Sequence, residues 1–221
     1  MTLAFDLFWS FRSPYCYLAL PRILQIHRAY DVEVQVRPIY PIAVRDPGFF
    51  KHVHPNYRRY HLLDSKRVAA YLGIAYRRPV PDPIVQDMQT NAIAAEQPYI
   101  YRLTRLGMAA ARAGRGLAFL EHVSPLLWDG SVDGWNEGTH LADAIRRAGL
   151  DPEVLEREIA AEAANLDGLI QDNHDALVAA GHWGVPTVVL EGEPFFGQDR
   201  IELLLWRMKQ RGLETRARAC Q

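Results

Sequence analysis

Residues 3–38, LAFDLFWSFRSPYCYLALPRILQIHRAYDVEVQVRP, decide the fold of this chain. The first seven are aromatic and branched and predict a short buried strand. Ser13 and Pro14 favour a helix start, because serine caps a helix N-terminus and proline fits its first turn. The apolar positions that follow have helical spacing, and residues 32–38 alternate as in a second strand. A strand, a helix and a strand in 36 residues predict a βαβ unit with parallel strands.

The C-terminal part of the chain predicts two more strands and a helix. TVVLE at 187–191 and residues 193–196 have strand character around a turn at Gly192, and Asp199 is predicted to cap a helix that ends near Gln210. The chain between the two units predicts almost only helix, at 57–72, 87–113, 116–128, 138–148, 151–165 and 168–180. The layout predicts a small sheet domain, 1–39 with 182–221, and an all-helical insertion, 40–181.

Composition excludes several classes of protein. The 221 residues are 49% hydrophobic and 23% charged, which fits a globular protein and not a disordered, collagenous or membrane-spanning one. A net charge of −1 gives no overall basic field for nucleic acid or a membrane surface. Two cysteines are too few for a disulfide framework. No secretory signal is visible at the start, so we expect a cytoplasmic protein.

The basic residues are mostly arginine, with Lys51, Lys66 and Lys209 as the three lysines among 25. The planar arginine fork suits carboxylates, so an anionic small substrate is one hypothesis, and a compositional preference of the genome is the other. His52, His54 and His61 have no cysteine or spaced carboxylate to complete a metal set, so no metal site is predicted.

Ser13 and Cys16 lie three residues apart at the predicted helix start and are expected on one face of its first turn. Unpaired backbone N–H groups and the positive helix end stabilise a thiolate there. A serine stands at the attacking position of what would be a CxxC redox pair, so it offers a hydrogen bond to a bound thiolate. The alternative is that Ser13 only caps the helix and Cys16 packs in the core.

Two further segments are candidates for ligand binding. Val185–Pro186 precedes a strand, where a cis peptide bond would expose the backbone of Val185 to a peptide-like ligand. Gln198 and Asp199 stand at the start of the last helix, where an anion or an α-ammonium group is a suitable ligand. A strand-leading proline and a simple helix cap are the alternatives.

Three motifs together resemble the 2-hydroxychromene-2-carboxylate isomerase family, whose relatives are the kappa-class glutathione transferases in the DsbA-like thioredoxin group. They are SPYCYLALPRI at 13–23, YHLLDSKRVAAYLGI at 60–74 and GHWGVPTVVLEGEPFFGQDRIELL at 181–204. The resemblance implies an α/β thioredoxin-like domain of the βαβ…ββα type with a large helical insertion. It also implies glutathione as the cofactor and a homodimer.

Site residues follow from the same resemblance. Ser13 matches the catalytic serine that stabilises the glutathione thiolate. Val185 and Pro186 match the positions whose backbone holds the cysteinyl part of glutathione, and Gln198 and Asp199 match those that bind its γ-glutamyl end. The thiolate would add reversibly to an unsaturated aromatic oxo-acid, a bond would rotate, and elimination would give the isomer.

The chain departs from the family at two places. Cys16 replaces a more common serine, and PGFFK at 47–51 stands where the family tends to carry Gly-Asn-Lys-Pro. We expect Arg12 to meet the substrate carboxylate, and His182 and Trp183 to line the pocket or pack in the core. Two other hypotheses remain: a glutathione transferase or thiol oxidoreductase that uses Cys16, and a non-catalytic module that binds a peptide or a partner.

Overall fold

A computed structural model gives the structure of residues 2–87, 89–90 and 92–216. The second cysteine, Cys220, therefore lies outside the described residues.

The four strands of the sheet match the predicted segments closely. They are β1 (Leu3–Trp9), β2 (Val32–Pro38), β3 (Thr187–Leu190) and β4 (Glu193–Phe196), in the order β2-β1-β3-β4. β1 and β2 run parallel, as the βαβ unit predicts, whereas β3 is antiparallel to β1 and to β4. β3 is one residue shorter than predicted, because Glu191 has a φ of 51° and belongs to the turn into β4.

The pairing of β1 with β3 brings two distant segments together. Phe8, near the end of β1, pairs with Thr187 at the start of β3. Because these two strands are antiparallel, the turn after β1 and the segment before β3 lie at the same edge of the sheet. Ser13 and Val185 therefore become neighbours although 172 residues separate them.

Helix α1 (Pro14–Ala29) follows β1 and continues through Pro21. Between the two sheet segments, the helices predicted at 57–72, 116–128 and 138–148 are found within two residues of their bounds. The helix predicted at 151–165 ends four residues early, the one predicted at 168–180 begins five residues early, and two short helices before residue 53 were not predicted. The helices of this part are α2 (Ile42–Arg45), α3 (Phe49–His52), α4 (Asn56–Leu72), α5 (Ile100–Arg112), α6 (Gly116–Trp128), α7 (His140–Arg147), α8 (Pro152–Ala161) and α9 (Ala163–Ala179). The chain ends in a 3₁₀ turn (Gln198–Arg200) and α10 (Ile201–Gln210).

The prediction of one helix over 87–113 is wrong in its first half. The residues before α5 form a loop, because polar side chains bind its backbone and compete with helical hydrogen bonds. Asp87 accepts from the backbone N–H of Gln89 and Thr90, and Gln97 bonds to both the N–H and the C=O of Val85. The predicted cap at Asp199 is also absent: its carboxylate pairs with Arg200, and α10 starts without a side-chain cap.

A large apolar core joins the sheet to the helices, and a second, smaller cluster contains Phe8, Ile39 and Leu177. α5 and α6 pack against β2, and α6 also packs against α1. Leu18 and Ile23 of α1 and Phe119 of α6 belong to this core and are fully buried. Within the described residues, none of the helices is long and apolar enough to cross a membrane. The short helices α2 and α3 and the first turns of α4 lie over the sheet edge that carries Ser13.

Candidate active site

Ser13 caps α1 at the edge of the sheet. The turn after β1 is closed by the N–H of Ser13, which donates to the carbonyl of Ser10 at 3.1 Å. Ser13 has an extended backbone, as helix caps do, and its Oγ accepts from the N–H of Cys16 at 3.3 Å. The cap fixes the position of the Ser13 hydroxyl at the N-terminal end of the helix, where the positive helix end favours negative charge.

The Val185–Pro186 peptide bond is cis, in agreement with the interpretation of the sequence. The hydroxyl of Ser13 donates to the carbonyl of Val185 at 3.4 Å, which is long for an O–H···O bond. On the far side, the carbonyl of Pro186 accepts from the N–H of Gly197 at 2.9 Å, so the strand that follows is tied to β4. The Ser13 proton is therefore held loosely and can turn to a ligand.

A cavity of about 180 Å³ opens beside Ser13 and Val185. One wall is aromatic: Phe49 contacts Phe50, Tyr57 and Trp183 with ring centroids 5.2, 6.1 and 5.4 Å apart. The two phenylalanines belong to the PGFFK segment that departs from the family pattern. The wall can receive an apolar ring of a ligand.

The polar part of the cavity is cationic. Arg12, Arg45, Arg58 and Arg78 line it, and no aspartate or glutamate is among its described lining residues. Arg12 binds Asp82 in a bidentate pair at 3.0 and 3.1 Å, so the residue expected to meet a substrate carboxylate already holds one of the protein's own. The cavity as a whole favours an anionic ligand.

Arg45 has no carboxylate within salt-bridge distance in the described part of the chain. It donates instead to the carbonyls of Tyr40 and Trp183 at 2.7 and 3.1 Å and lies 2.8 Å from Nδ1 of His174. Burial lowers the pKa of Arg45 to about 10, so the guanidinium stays charged at neutral pH. Arg45 thereby joins the helical insertion to the segment just before the cis peptide bond.

His61 and Tyr15 lie side by side in the cavity wall, with ring centroids 5.0 Å apart. Burial and the charges of Arg78 and Arg12 together lower the pKa of His61 to about 4. Tyr15 donates to Asp64 at 2.6 Å, and burial together with this carboxylate raises its pKa. At neutral pH the imidazole and the phenol are both uncharged.

Cys16 does not share the exposed face of Ser13, contrary to the expectation from their spacing. Its side chain is fully buried, and its Sγ accepts from the N–H of Ser10 at 3.5 Å. Burial raises the pKa of the Cys16 thiol to about 12, although the hydrogen bonds from Ser10 and Ser13 lower it in part. The thiol is protonated at neutral pH and lies outside the cavity lining.

The remaining predicted residues surround the cis peptide bond at different distances from the cavity. Trp183 lines the cavity and is half exposed, whereas His182 stacks on Phe196 with centroids 3.9 Å apart. Gln198 accepts a hydrogen bond from Arg22, and the exposed Asp199 pairs with Arg200. These last two residues are not among the residues that line the cavity.

Sequence reasoning missed Ser10, Arg45, Arg58 and Arg78 in the cavity wall. Ser10 is 1% exposed, and its Oγ has no hydrogen-bond partner in the described structure. The excess of arginine over lysine in the sequence indicated an anionic ligand, but it did not identify the arginines that line the cavity.

Comparisons with known proteins agree with this architecture. The 2-hydroxychromene-2-carboxylate isomerase structure has a TM-score of 0.70 at 20% identity and aligns over 94% of this chain and 95% of its own. A probable DsbA oxidoreductase from Streptomyces coelicolor has a TM-score of 0.65 at 19% identity, over 99% and 94%. The cytosolic disulfide reductase DsbM from Pseudomonas aeruginosa has a TM-score of 0.59 at 16% identity, over 94% and 100%, and is also solved with GSH.

At these identities the likeness establishes the fold alone. Curated protein sequences give no match. The model of the DSBA-like thioredoxin domain family matches residues 4–209, which is almost the whole described chain. The chain therefore belongs to the DSBA-like thioredoxin domain family.

Proposed function

We propose that this protein is a glutathione-dependent isomerase of an unsaturated aromatic oxo-acid. The observation that carries the proposal is the Ser13 hydroxyl. It lines the cavity at the N-terminus of α1, and its hydrogen bond to the carbonyl of Val185 is long, with 3.4 Å between the two oxygens. A hydroxyl in this position can donate to a thiolate at little cost, because the bond that it gives up is weak.

The sulfur in this proposal comes from outside the protein. A thiolate is the reactive form of a thiol, and Cys16 is buried with a pKa of about 12. An oxidoreductase mechanism through Cys16 would need this thiol to reach the cavity and to ionise. A glutathione thiolate next to Ser13 meets both needs, since the hydroxyl and the helix end lower the pKa of a bound thiol.

Glutathione fits the residues around the cis peptide bond. Val185 presents its carbonyl beside Ser13, where the cysteinyl backbone of the tripeptide can pair as an added strand. Gln198 and Asp199 would receive its γ-glutamyl end, with the Asp199 carboxylate suited to the α-ammonium group. The structure of DsbM with GSH supports glutathione as a ligand of this fold.

The cavity wall supports an aromatic acid as the second ligand. Phe49, Phe50 and Trp183 offer ring faces and edges, and the arginines offer donors for a carboxylate. When bound, glutathione would supply a thiolate that adds reversibly to the conjugated double bond and leaves again unchanged. The protein's part is to hold the thiolate at Ser13 and to orient the ring and the carboxylate around it.

A glutathione transferase would activate the same thiolate at Ser13, so the assay must tell catalysis of isomerisation from consumption of glutathione. We would follow 2-hydroxychromene-2-carboxylate by absorbance, with glutathione and with S-methylglutathione, which has no ionisable thiol. The proposal expects isomerisation only with glutathione, no net loss of glutathione, full activity of Cys16→Ala and reduced activity of Ser13→Ala.

Two results would overturn the proposal. Loss of activity only in Cys16→Ala would point to the protein's own thiol. A calorimetric titration that detects no glutathione binding at millimolar concentration would favour a module without glutathione chemistry.

A further inference from the structure

We propose that the outer edge of β2 is a docking site, where an extended, acidic segment of a partner protein adds to the sheet as a fifth strand. The strand order β2-β1-β3-β4 puts β2 at one end of the sheet, so one of its edges has no neighbouring strand in the described chain. A groove of about 480 Å³ follows this edge, and none of its described lining residues belongs to the cavity beside Ser13. The docking site is therefore separate from the proposed active site.

The backbone groups of β2 alternate between its two edges. The N–H of Ile39, just after the strand, donates to the carbonyl of Trp9 in β1 at 2.8 Å. Because successive residues of a strand point their backbone groups in opposite directions, the odd-numbered residues of β2 pair with β1 and the even-numbered ones point away from it. Val34 and Val36 therefore direct their N–H and C=O groups to the outer edge.

Side chains of the protein already occupy both ends of this outer edge. The carbonyl of Val32 lies 3.3 Å from Nδ1 of His27, and the carbonyl of Pro38 accepts from Nδ2 of Asn173 at 3.0 Å. Between these ends, the N–H and C=O groups of Val34 and Val36 have no hydrogen-bond partner among the described residues. Two donors and two acceptors, spaced as in a strand, are therefore open to an extended backbone.

The groove gives access to these open groups. Four successive residues of β2 line it, namely Val34, Gln35, Val36 and Arg37. Because side chains alternate between the two faces of a sheet, a groove that touches four successive residues must run along the edge of the strand. Residues of α1, α5 and α6 form its walls. A peptide in the groove would thus lie beside the open backbone groups.

The charge of the groove selects an acidic partner. Its lining contains four arginines, Arg28, Arg37, Arg112 and Arg115, against a single described acidic residue, Glu121. Glu121 pairs with Arg28, and the carboxylates that pair with Arg37 and Arg112 lie outside the lining. Arg115 donates to the carbonyl of Ala148 at 3.0 and 2.7 Å and has no carboxylate within salt-bridge distance in the described chain. This excess of positive charge would stabilise acidic side chains on a docked segment.

Two other occupants match the groove less well. A second copy of the chain that paired through the same edge would bring two sets of arginines together, because both copies of a two-fold dimer use the same surface. The last five residues of the chain, 217–221, include Arg218 and no aspartate or glutamate. Charge therefore favours a segment of another protein.

The test uses two fluorescent pentapeptides, acetyl-Glu-Val-Glu-Val-Glu-amide and its counterpart with lysine in place of glutamate. Both are titrated into the full chain and followed by fluorescence anisotropy. We expect the acidic peptide to bind at least about tenfold more tightly at about 50 mM salt, and this preference to shrink at about 500 mM salt, where charges are screened.

Methylation of alternate backbone nitrogens of the acidic peptide tests the strand pairing itself. An extended peptide directs every second N–H group to the neighbouring strand. Methyl groups on one alternate set of nitrogens should therefore abolish binding, and methyl groups on the other set should leave it unchanged.

Variants of the protein test the same contacts from the other side. Val34→Pro removes one N–H from the outer edge without touching the bonds to β1, so it should stay folded in thermal melting and bind the acidic peptide at least about tenfold more weakly. Val34→Ala keeps the N–H and is the matched control, with the affinity of the wild type. Arg28→Gln and Arg115→Gln should each weaken binding about threefold. Arg157→Gln, exposed on α8 and outside the groove lining, should not.

Equal binding of the two pentapeptides by the wild type, or no binding of the acidic one, would overturn the inference. Equal binding of the two methylated forms would also overturn it, and these forms decide the question if Val34→Pro does not fold. A dimer of the chain that dissociates in Val34→Pro would assign the edge to a second copy instead. A gain in peptide affinity after removal of residues 217–221 would assign it to the C-terminal segment instead.

Discussion

Replacement of Ser13 by alanine should have two separable effects. The variant loses the side-chain cap of α1, in which Oγ accepts from the N–H of Cys16 at 3.3 Å. A cap of this kind contributes about 1 kcal/mol to the free energy of unfolding. It also loses the donor to the bound thiolate, and a hydrogen bond to a charged group contributes about 1.5–3 kcal/mol. Since one pKa unit corresponds to about 1.4 kcal/mol, the thiol pKa of bound glutathione should rise by roughly 1–2 units.

The assay is a pH titration of thiolate absorbance in the glutathione complex, together with urea unfolding of the free protein. All variants are made in Cys220→Ser, which removes the second thiol of the chain, and Cys16 does not disturb the titration because its own pKa of about 12 lies above the range. Asp151→Ala is the matched control. Asp151 caps α8 by accepting from the N–H of Glu153 at 2.8 Å and of Val154 at 3.3 Å, far along the chain from the site. It should lower stability as much as Ser13→Ala and leave the thiol pKa unchanged.

The reasoning is refuted if Ser13→Ala leaves the pKa of the bound thiol where it is in the wild type. An equal shift in Asp151→Ala would also refute it, since the effect would then come from stability alone. Ser13→Thr keeps a hydroxyl and should restore most of the lowered pKa. A thiol pKa that rises in the threonine variant as much as in the alanine variant would show that the hydroxyl does not act as the donor.

Three further measurements probe the surroundings of the site. Alkylation of Cys16 at pH 8 is measured by mass spectrometry in the Cys220→Ser variant and should be at least about 1,000-fold slower than that of a free thiol, because a pKa of about 12 leaves roughly one thiolate in 10,000. A rate within tenfold of the rate for the same variant unfolded in urea would contradict the burial. The folded pKa of His61, about 4, lies below its unfolded value of about 6.5, so its contribution to stability is present above pH 6.5 and is lost as the pH falls towards 4. In His61→Gln the free energy of unfolding, measured in urea, should vary less with pH across this window, and the same pH dependence as in the wild type would count against the shift. Asp82→Asn should destabilise the protein by about 2 kcal/mol, because two partly buried arginines lose their carboxylate. Burial raises the pKa of Asp82 but its arginine contacts lower it overall, so its contribution to stability is present above about pH 4 and is lost below that; a variant with the same loss of stability in acid as the wild type would contradict this.

The two sheet units could be predicted from the sequence because their signals are local. A run of aromatic and branched residues indicated β1, alternation of apolar and polar residues indicated β2, and Ser13 with Pro14 marked the start of α1. The same local reasoning failed between 87 and 99, where the described residues form a loop. There the side chain of Gln97 reaches back twelve residues to the backbone of Val85, a contact that no local pattern reveals.

The sequence by itself determined the strand and helix order, the cap at Ser13 and the cis-compatible Val185–Pro186, since each depends on neighbouring residues. Only the tertiary structure decided that Cys16 turns into the core and that Arg12 is bound to Asp82. In the sequence, a serine and a cysteine three residues apart at a helix start are equally good candidates to face a ligand. Only the packing of the fold shows which of them is removed from solvent. An arginine can meet either a ligand or a carboxylate of the protein, and which one it meets depends on segments about 70 residues apart that only the fold brings together.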